Sequence, residues 1–412
     1  MDNRENKILI FNCWWERINY GAVLTAYALQ AFISESLKCD NKLIYNPPQY
    51  NKYFKKFKAF DNFKNKYLNG THEITTLKQL FDLNNAYNIF ITGSDQVFRY
   101  PFLKNIINGY EQYFLDFASI HSKKISIAAS FGIKKSEFLR ETTPLIREKI
   151  KRSLKTFDFI SVREKDGVEI CKDLFNVNAQ WIIDPVFWLN PERYNTISQD
   201  SDLDCTDKIV SYFFHKTKRD KDVFKDIGKK FGAKIVELYM SDRSIEDWLK
   251  AIKTSKLFIT NSFHGVCFAI LFNKPFICVV NSKSGISRYE SLFEMLGIRN
   301  QCIYSLSEIL EKDCIFKVNY NEVNKNINTE AKKGQEFLIA AIDSQIECSE
   351  QKIDNKIKIL ENKICELEDK LTLKHLFIKT IWKIWVEIFH CLPTVVQNII
   401  QNARRCFVKN RK

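Results

Sequence analysis

His264 stands in the stretch "TNSFHGVCFAILFNKPFICVV" (260–280), where a polar turn separates the apolar run "KLFI" from a helix-like run ending at Lys274 and Pro275. Ser262 is a natural N-cap, which leaves His264 in a first helical turn beside unpaired backbone N–H groups and the positive end of the helix dipole. Such a position suits an anion, and an imidazole there can transfer a proton. The same residue also reads as a satisfied core histidine.

Three more segments place polar residues where a strand ends. In Asn19-Tyr20-Gly21-Ala22 the glycine permits close backbone approach to a ligand, or simply makes a turn. In Gly93-Ser94-Asp95-Gln96, Asp95 reads either as a cleft carboxylate or as a helix N-cap. In Ser161-Val162-Arg163-Glu164 an arginine directly follows an apolar strand; its fork suits a carboxylate or phosphate, and a salt bridge with Glu164 is the other reading. No dinucleotide, P-loop, zinc-protease or serine-hydrolase motif occurs, and no pair among the six histidines has metal-ligand spacing, so no metal or cofactor is expected.

Elements able to position these residues are legible in the hydrophobic pattern. Apolar runs at 7–12, 87–92, 123–130, 157–162 and 181–187 alternate with helical patterns at 21–37, 75–84, 136–156 and 165–175. A polar stretch at 190–207 reads as a linker. The alternation then resumes with strands at 208–215, 233–240, 256–260 and 275–280, and helices at 218–231, 244–255, after His264 and at 288–298. The expected fold is therefore α/β: two Rossmann-like domains, 1–200 and 201–345, facing a cleft.

From Ile353 the apolar residues Ile353, Ile357, Leu360, Ile364, Leu367 and Leu371 recur in steps of four and three, a coiled-coil seam over 346–373 or a helix packed on its own domain. Residues 374–412 carry eight Lys/Arg against Glu387 alone, beside Trp382 and Trp385, out of a chain charge of +14. That basic amphipathic tail, like the basic aromatic segment 50–68, suits an anionic membrane surface, while a helix docked on the core is the other reading. No nucleic-acid-binding pattern accompanies the charge. The twelve cysteines form no C-x-x-C and no secretory signal is visible, which gives the expectation of a reduced, cytoplasmic protein, peripheral at the inner membrane face.

The segments "NYGAVLTAYAL" (19–29), "GSDQVF" (93–98), "SVREKDG" (161–167), "DPVFWL" (184–189), "TNSFHGVCFAILFNKPF" (260–276) and "SRYESLFEMLGI" (287–298) together resemble the polysaccharide pyruvyl transferase family. The resemblance covers roughly residues 15–345. It implies a GT-B-like fold and transfer of the pyruvyl group of phosphoenolpyruvate to two hydroxyls of a sugar or lipid-linked glycan. Carried over by residue, it implies His264 as general acid and Asp95 as acceptor of the sugar proton. Arg163, Arg288, Ser262 and Gly265 would hold the donor, and Asn19, Gly21, Ser94 and Gln96 would line the cleft. One position departs: well-studied members have an arginine two residues before this histidine, where Ser262 stands here. The rival readings are a nucleotide-sugar glycosyltransferase of the same architecture and a non-catalytic scaffold whose coiled coil makes homo- or hetero-oligomers.

Overall fold

The computed structural model describes residues 6–14, 19–46, 59–103, 109–214, 218–238, 243–280, 285–299, 301–311, 318–346 and 348–370. The basic tail 374–412 lies outside them, as does the first part, 50–58, of the 50–68 segment. Of the latter, Phe60 and Phe63 are buried in the core of the first domain. Among the described residues no helix is long and apolar enough to cross a membrane.

Seven strands form the first sheet: β1 (Lys7–Phe11), β2 (Asp40–Tyr45), β3 (Gly70–Glu73), β4 (Ile89–Thr92), β5 (Lys123–Ala129), β6 (Phe159–Val162) and β7 (Gln180–Trp181). Their spatial order is β3-β2-β1-β4-β5-β6-β7, and every pairing is parallel. The second sheet holds β8 (Ile209–Tyr212), β9 (Ile235–Leu238), β10 (Leu257–Thr260), β11 (Phe276–Val279) and β12 (Cys302–Ile303) in the order β12-β11-β10-β8-β9, again all parallel. Strands β4, β8, β10 and β11 are buried along their whole length, as continuous apolar runs covered by helices on both faces must be. The expected two-domain α/β architecture is what the chain adopts.

In each sheet the strand order reverses once, between β1 and β4 in the first and between β8 and β10 in the second. Ligands of open α/β sheets bind beyond the carboxyl ends of strands at such switch points. Ser94 and Asp95 follow β4, and His264 follows β10, so the two reversals deliver the candidate residues.

Several expected elements differ. The strand expected at 181–187 stops at Trp181, because Pro185 has no N–H for a ladder and the Asp184 side chain takes the Val186 N–H to start a short 3₁₀ turn, Pro185–Phe187. The helix expected at 136–156 is two, Lys135–Glu141 and Pro144–Leu154, broken where Pro144 begins the second. The linker at 190–207 contains the helix Pro191–Ser198, again with proline first. Polar β3 and two-residue β12 carry too little apolar pattern to be read from sequence.

After the second sheet the chain returns to the first domain. The helix Tyr320–Asp343 crosses the junction: Gln335 Nε2 donates to Trp188 O (2.9 Å), and Lys123 Nζ donates to Ile342 O and Ser344 O at its far end (both 2.5 Å). The helix Glu350–Lys370 lies on the first domain beside Pro144–Leu154. There Lys352 pairs with Asp158 (2.7 Å), Lys356 Nζ donates to Asp116 O (2.5 Å) and Ala118 O (2.8 Å), and Lys363 pairs with Glu111. Of the heptad positions, Leu360 is buried while Ile353, Ile357 and Ile364 are half-buried. The face turned to the domain runs through Lys352, Lys356, Leu360 and Lys363. Over these residues the helix is thus docked on its own chain, the second of the two readings of the seam.

Candidate functional site

Two helices begin at the site. Tyr20–Phe32 starts behind Asn19, whose side chain accepts from Ala22 N (3.2 Å), and Phe263–Leu271 starts behind Ser262, whose hydroxyl accepts from Gly265 N (3.2 Å). The caps use one orphan N–H of each helix, and the positive ends of both dipoles converge on His264. Gly21 makes the convergence sterically possible: a Cβ there would fall 2.1 Å from His264 Nδ1.

His264 is 5% exposed and is held on its other nitrogen. Nε2 lies 2.9 Å from Thr25 Oγ1 and 3.4 Å from Asp184 Oδ2. Thr25 has one hydroxyl proton and an acceptor in Asp184 Oδ1 (3.5 Å); the carboxylate only accepts. Nε2 is therefore assigned the proton in the neutral ring, and Nδ1, over Gly21, is the basic nitrogen.

Asp184 is the hub. Its Oδ2 accepts from Ser94 Oγ (2.7 Å) and Arg163 Nη1 (2.8 Å), and its side chain has no solvent exposure. Arg163 Nη2 reaches on to Asp95 Oδ1 (3.1 Å), which also accepts from Gln96 N (2.8 Å). Asp95 takes a positive φ of 104°, a strained value for a non-glycine residue, next to its single bridge to Ala129. The chain Asp95–Arg163–Asp184–His264 thus runs from the first switch point to the second.

The electrostatics follow from that chain. Burial pushes the Asp184 carboxyl up, but the His264 bond, the Arg163 charge and Ser94 outweigh it and hold the group well below the usual carboxylate range. Asp95 is likewise lowered: burial opposes, Arg163 first and then His264 prevail. Burial also works against the Arg163 cation, and Asp95 and Asp184 more than restore it. Glu164 Oε1 accepts from Phe131 N (2.7 Å) and Gly132 N (3.0 Å), and burial pushes its carboxyl up against the opposing Arg163 charge. Arg288, 8% exposed, lies with its Cζ 5.6 Å from the Phe263 ring centre, over which Arg163 Cζ also stands at 4.4 Å. Burial, with the neighbouring Arg163 charge among the further causes, lowers its pKa, but a guanidinium stays charged at any working pH.

Of the residues expected from sequence, His264, Gly21, Ser94, Asp95, Arg163 and Arg288 come together. Four of the expected residues are engaged by neighbours within the protein. Arg163 bonds two carboxylates, Asp95 and Asp184, with a side chain 1% exposed. Ser94 is fully buried between Asp184 and Arg163, away from any cleft surface. Gly265 faces β10, where a Cβ would stand 2.7 Å from Thr260 Oγ1, and its N–H is used by Ser262. Gln96 bonds Arg99 (3.1 Å) and packs on Gly132. Sequence reasoning missed Thr25 and Asp184 as site residues. Asp184 carried a signal: a carboxylate at the end of an apolar run, fixed by the following proline.

The polysaccharide pyruvyl transferase family model matches residues 19–283. No curated protein matches the chain. Similar solved structures include the UDP-GlcNAc 2-epimerase of Neisseria meningitidis bound to UDP-GlcNAc, at 9% identity over 88% of this chain and 100% of that one, with a TM-score of 0.46. The UDP-N-acetylglucosamine 2-epimerase of Rickettsia bellii is 11% identical over 82% and 98%, TM-score 0.49. The wall teichoic acid polymerase TagF is 12% identical over 90% of both chains, TM-score 0.43. At such identities the activity must be argued from the site itself. The family match takes in both switch points with Gly21, Asp95, Arg163, Asp184 and His264, and it spans most of the chain; the protein belongs to the polysaccharide pyruvyl transferase family.

Proposed function

We propose that the protein transfers the pyruvyl group of phosphoenolpyruvate to two hydroxyls of one sugar in a cell-surface polysaccharide or its lipid-linked precursor, giving a cyclic ketal and inorganic phosphate. The observation that supports this most is the placing of His264 between two helix N-termini and within bonding distance of Asp184. A phosphate seated there meets backbone N–H groups, two dipole ends and the Arg288 charge. His264, carrying a second proton on Nδ1, gives that proton to the enol methylene carbon, which leaves C2 electron-poor for attack by the first hydroxyl. Attack by the second hydroxyl expels phosphate, and the two hydroxyl protons balance the one added to carbon and the one taken by the leaving group. Asp95, the solvent-reached carboxylate of the Arg163 pair, orients the acceptor hydroxyl and draws its proton. Asp184 and Thr25 keep the ring in one orientation throughout.

The test is phosphate release from phosphoenolpyruvate in the presence of acceptor glycans, with mass spectrometry of the product for the ketal. His264→Ala, folded by circular dichroism, is expected to lose about 10²–10⁴-fold in turnover; wild-type turnover in that variant overturns the role. Stabilisation by a nucleoside diphosphate and none by phosphoenolpyruvate would move the reading to a glycosyltransferase. The basic, tryptophan-bearing tail brings the enzyme to the inner membrane face, where such precursors lie. Removal of 374–412 should end co-sedimentation with anionic vesicles, and undiminished binding refutes that placement.

A further inference from the structure

A cavity of about 670 Å³ lies at the opposite end of the His264 helix, roughly 13 Å from His264 along the helix axis. Its size is within the range of small-molecule sites, about 300–1,000 Å³. Three elements that join the two domains wall it: the turn and helix at 187–195, the end of the His264 helix at 271–273, and the crossing helix Tyr320–Asp343. It is separate from the Asp184 network.

Its lining is unusually rich in amides. Asn190 and Asn195 come from one wall, Asn273 from the second, and Asn324, Asn328 and Gln335 from one face of the third, at helical spacing. Phe187, Phe272 and Ile327 add apolar surface. Charge is nearly balanced, with Lys253 and Lys332 against Glu192, so the cavity is not built for an anion.

A hydroxyl donates and accepts at once. Amides pair with adjacent hydroxyls in the same double sense, and the C–H face of a sugar ring suits the aromatic surface.

We propose that this cavity is a secondary binding site for an uncharged oligosaccharide, which holds a glycan chain away from the reacting sugar. The chemistry of the cavity does not depend on the donor assigned above.

The probes are neutral gluco-, galacto- and manno-oligosaccharides of two to four units, titrated into the full-length protein by calorimetry and saturation-transfer NMR. Saturable binding of at least one is expected. Asn324→Leu/Asn328→Leu, on the surface of one helix, should weaken it at least tenfold and leave the thermal shift with phosphoenolpyruvate unaltered. Asn273→Gly provides a second variant, since the backbone there has a φ of 53°, which glycine adopts freely, and only the amide is lost. It should also weaken binding. Absence of saturable binding to millimolar concentration, or equal affinity in both variants, overturns the proposal. Oligosaccharide binding without a phosphoenolpyruvate shift would leave this site standing and remove the donor reading instead.

Discussion

Gly21 and His264 meet across the two domains, with no room between them for a side chain: a Cβ at Gly21 would lie 2.1 Å from Nδ1 and 2.3 Å from Cγ of the ring. The contact joins the first turn of one domain's helix to the first turn of the other's. Gly21→Ala must therefore displace the imidazole or part the domains. Because a misplacement of about 1 Å costs on the order of 10²-fold in rate, phosphate release should fall by about that factor with the circular dichroism spectrum retained. An alanine variant of full activity would show that the ring position is not critical.

Asp184→Asn keeps the shape of the hub and removes its charge. It leaves Arg163 short of one partner in a buried site, so stability should drop by about 3–5 kcal/mol, measured by urea unfolding. The double variant Asp184→Asn/Arg163→Met should lose less than the sum of the single changes, because the two groups share one interaction. Strict additivity would mean that the bond at 2.8 Å carries no coupling.

Acid should erase the difference between wild type and Asp184→Asn. The folded carboxyls of Asp184 and Asp95 are held below their ordinary value, despite burial, by His264 and Arg163. A carboxylate lowered in the fold stabilises above its unfolded pKa of about 3.9 and ceases to do so as pH falls through the folded value. The gap in unfolding free energy should be full at pH 7 and shrink progressively below about pH 4. A constant gap down to pH 2.5 would contradict this charge arrangement.

Leu360→Ala tests the docking of Glu350–Lys370. The side chain is 4% exposed on the face turned to the first domain, and its truncation should cost about 2–5 kcal/mol. The unfolding midpoint should not vary with protein concentration. A midpoint that rises with concentration would instead assign this helix to contact between copies.

The fold was largely legible because parallel strands buried on both faces are continuous apolar runs, and the helices between them carry their own period. Where the pattern is polar or very short, as in β3 and β12, it was not. Prolines 144 and 185 altered the boundaries for reasons already present in the sequence. The heptad spacing from Ile353 was visible, but spacing alone does not say whether a seam meets another chain or, as over 350–363, its own domain.

For the site, the sequence by itself determined the residue types at the strand ends: a histidine after a capping serine, a glycine at a helix start, an arginine and two aspartates behind apolar runs. Only the tertiary structure decided which of them act together. Asp184 lies 80 positions before His264 and Thr25 lies 239 before it. Their meeting depends on two sheets whose strand orders reverse at facing points, a long-range property that local spacing cannot express. The fold likewise turned Arg163 from a free cation into a shared partner of two carboxylates, because burial makes an unpaired charge too costly to leave.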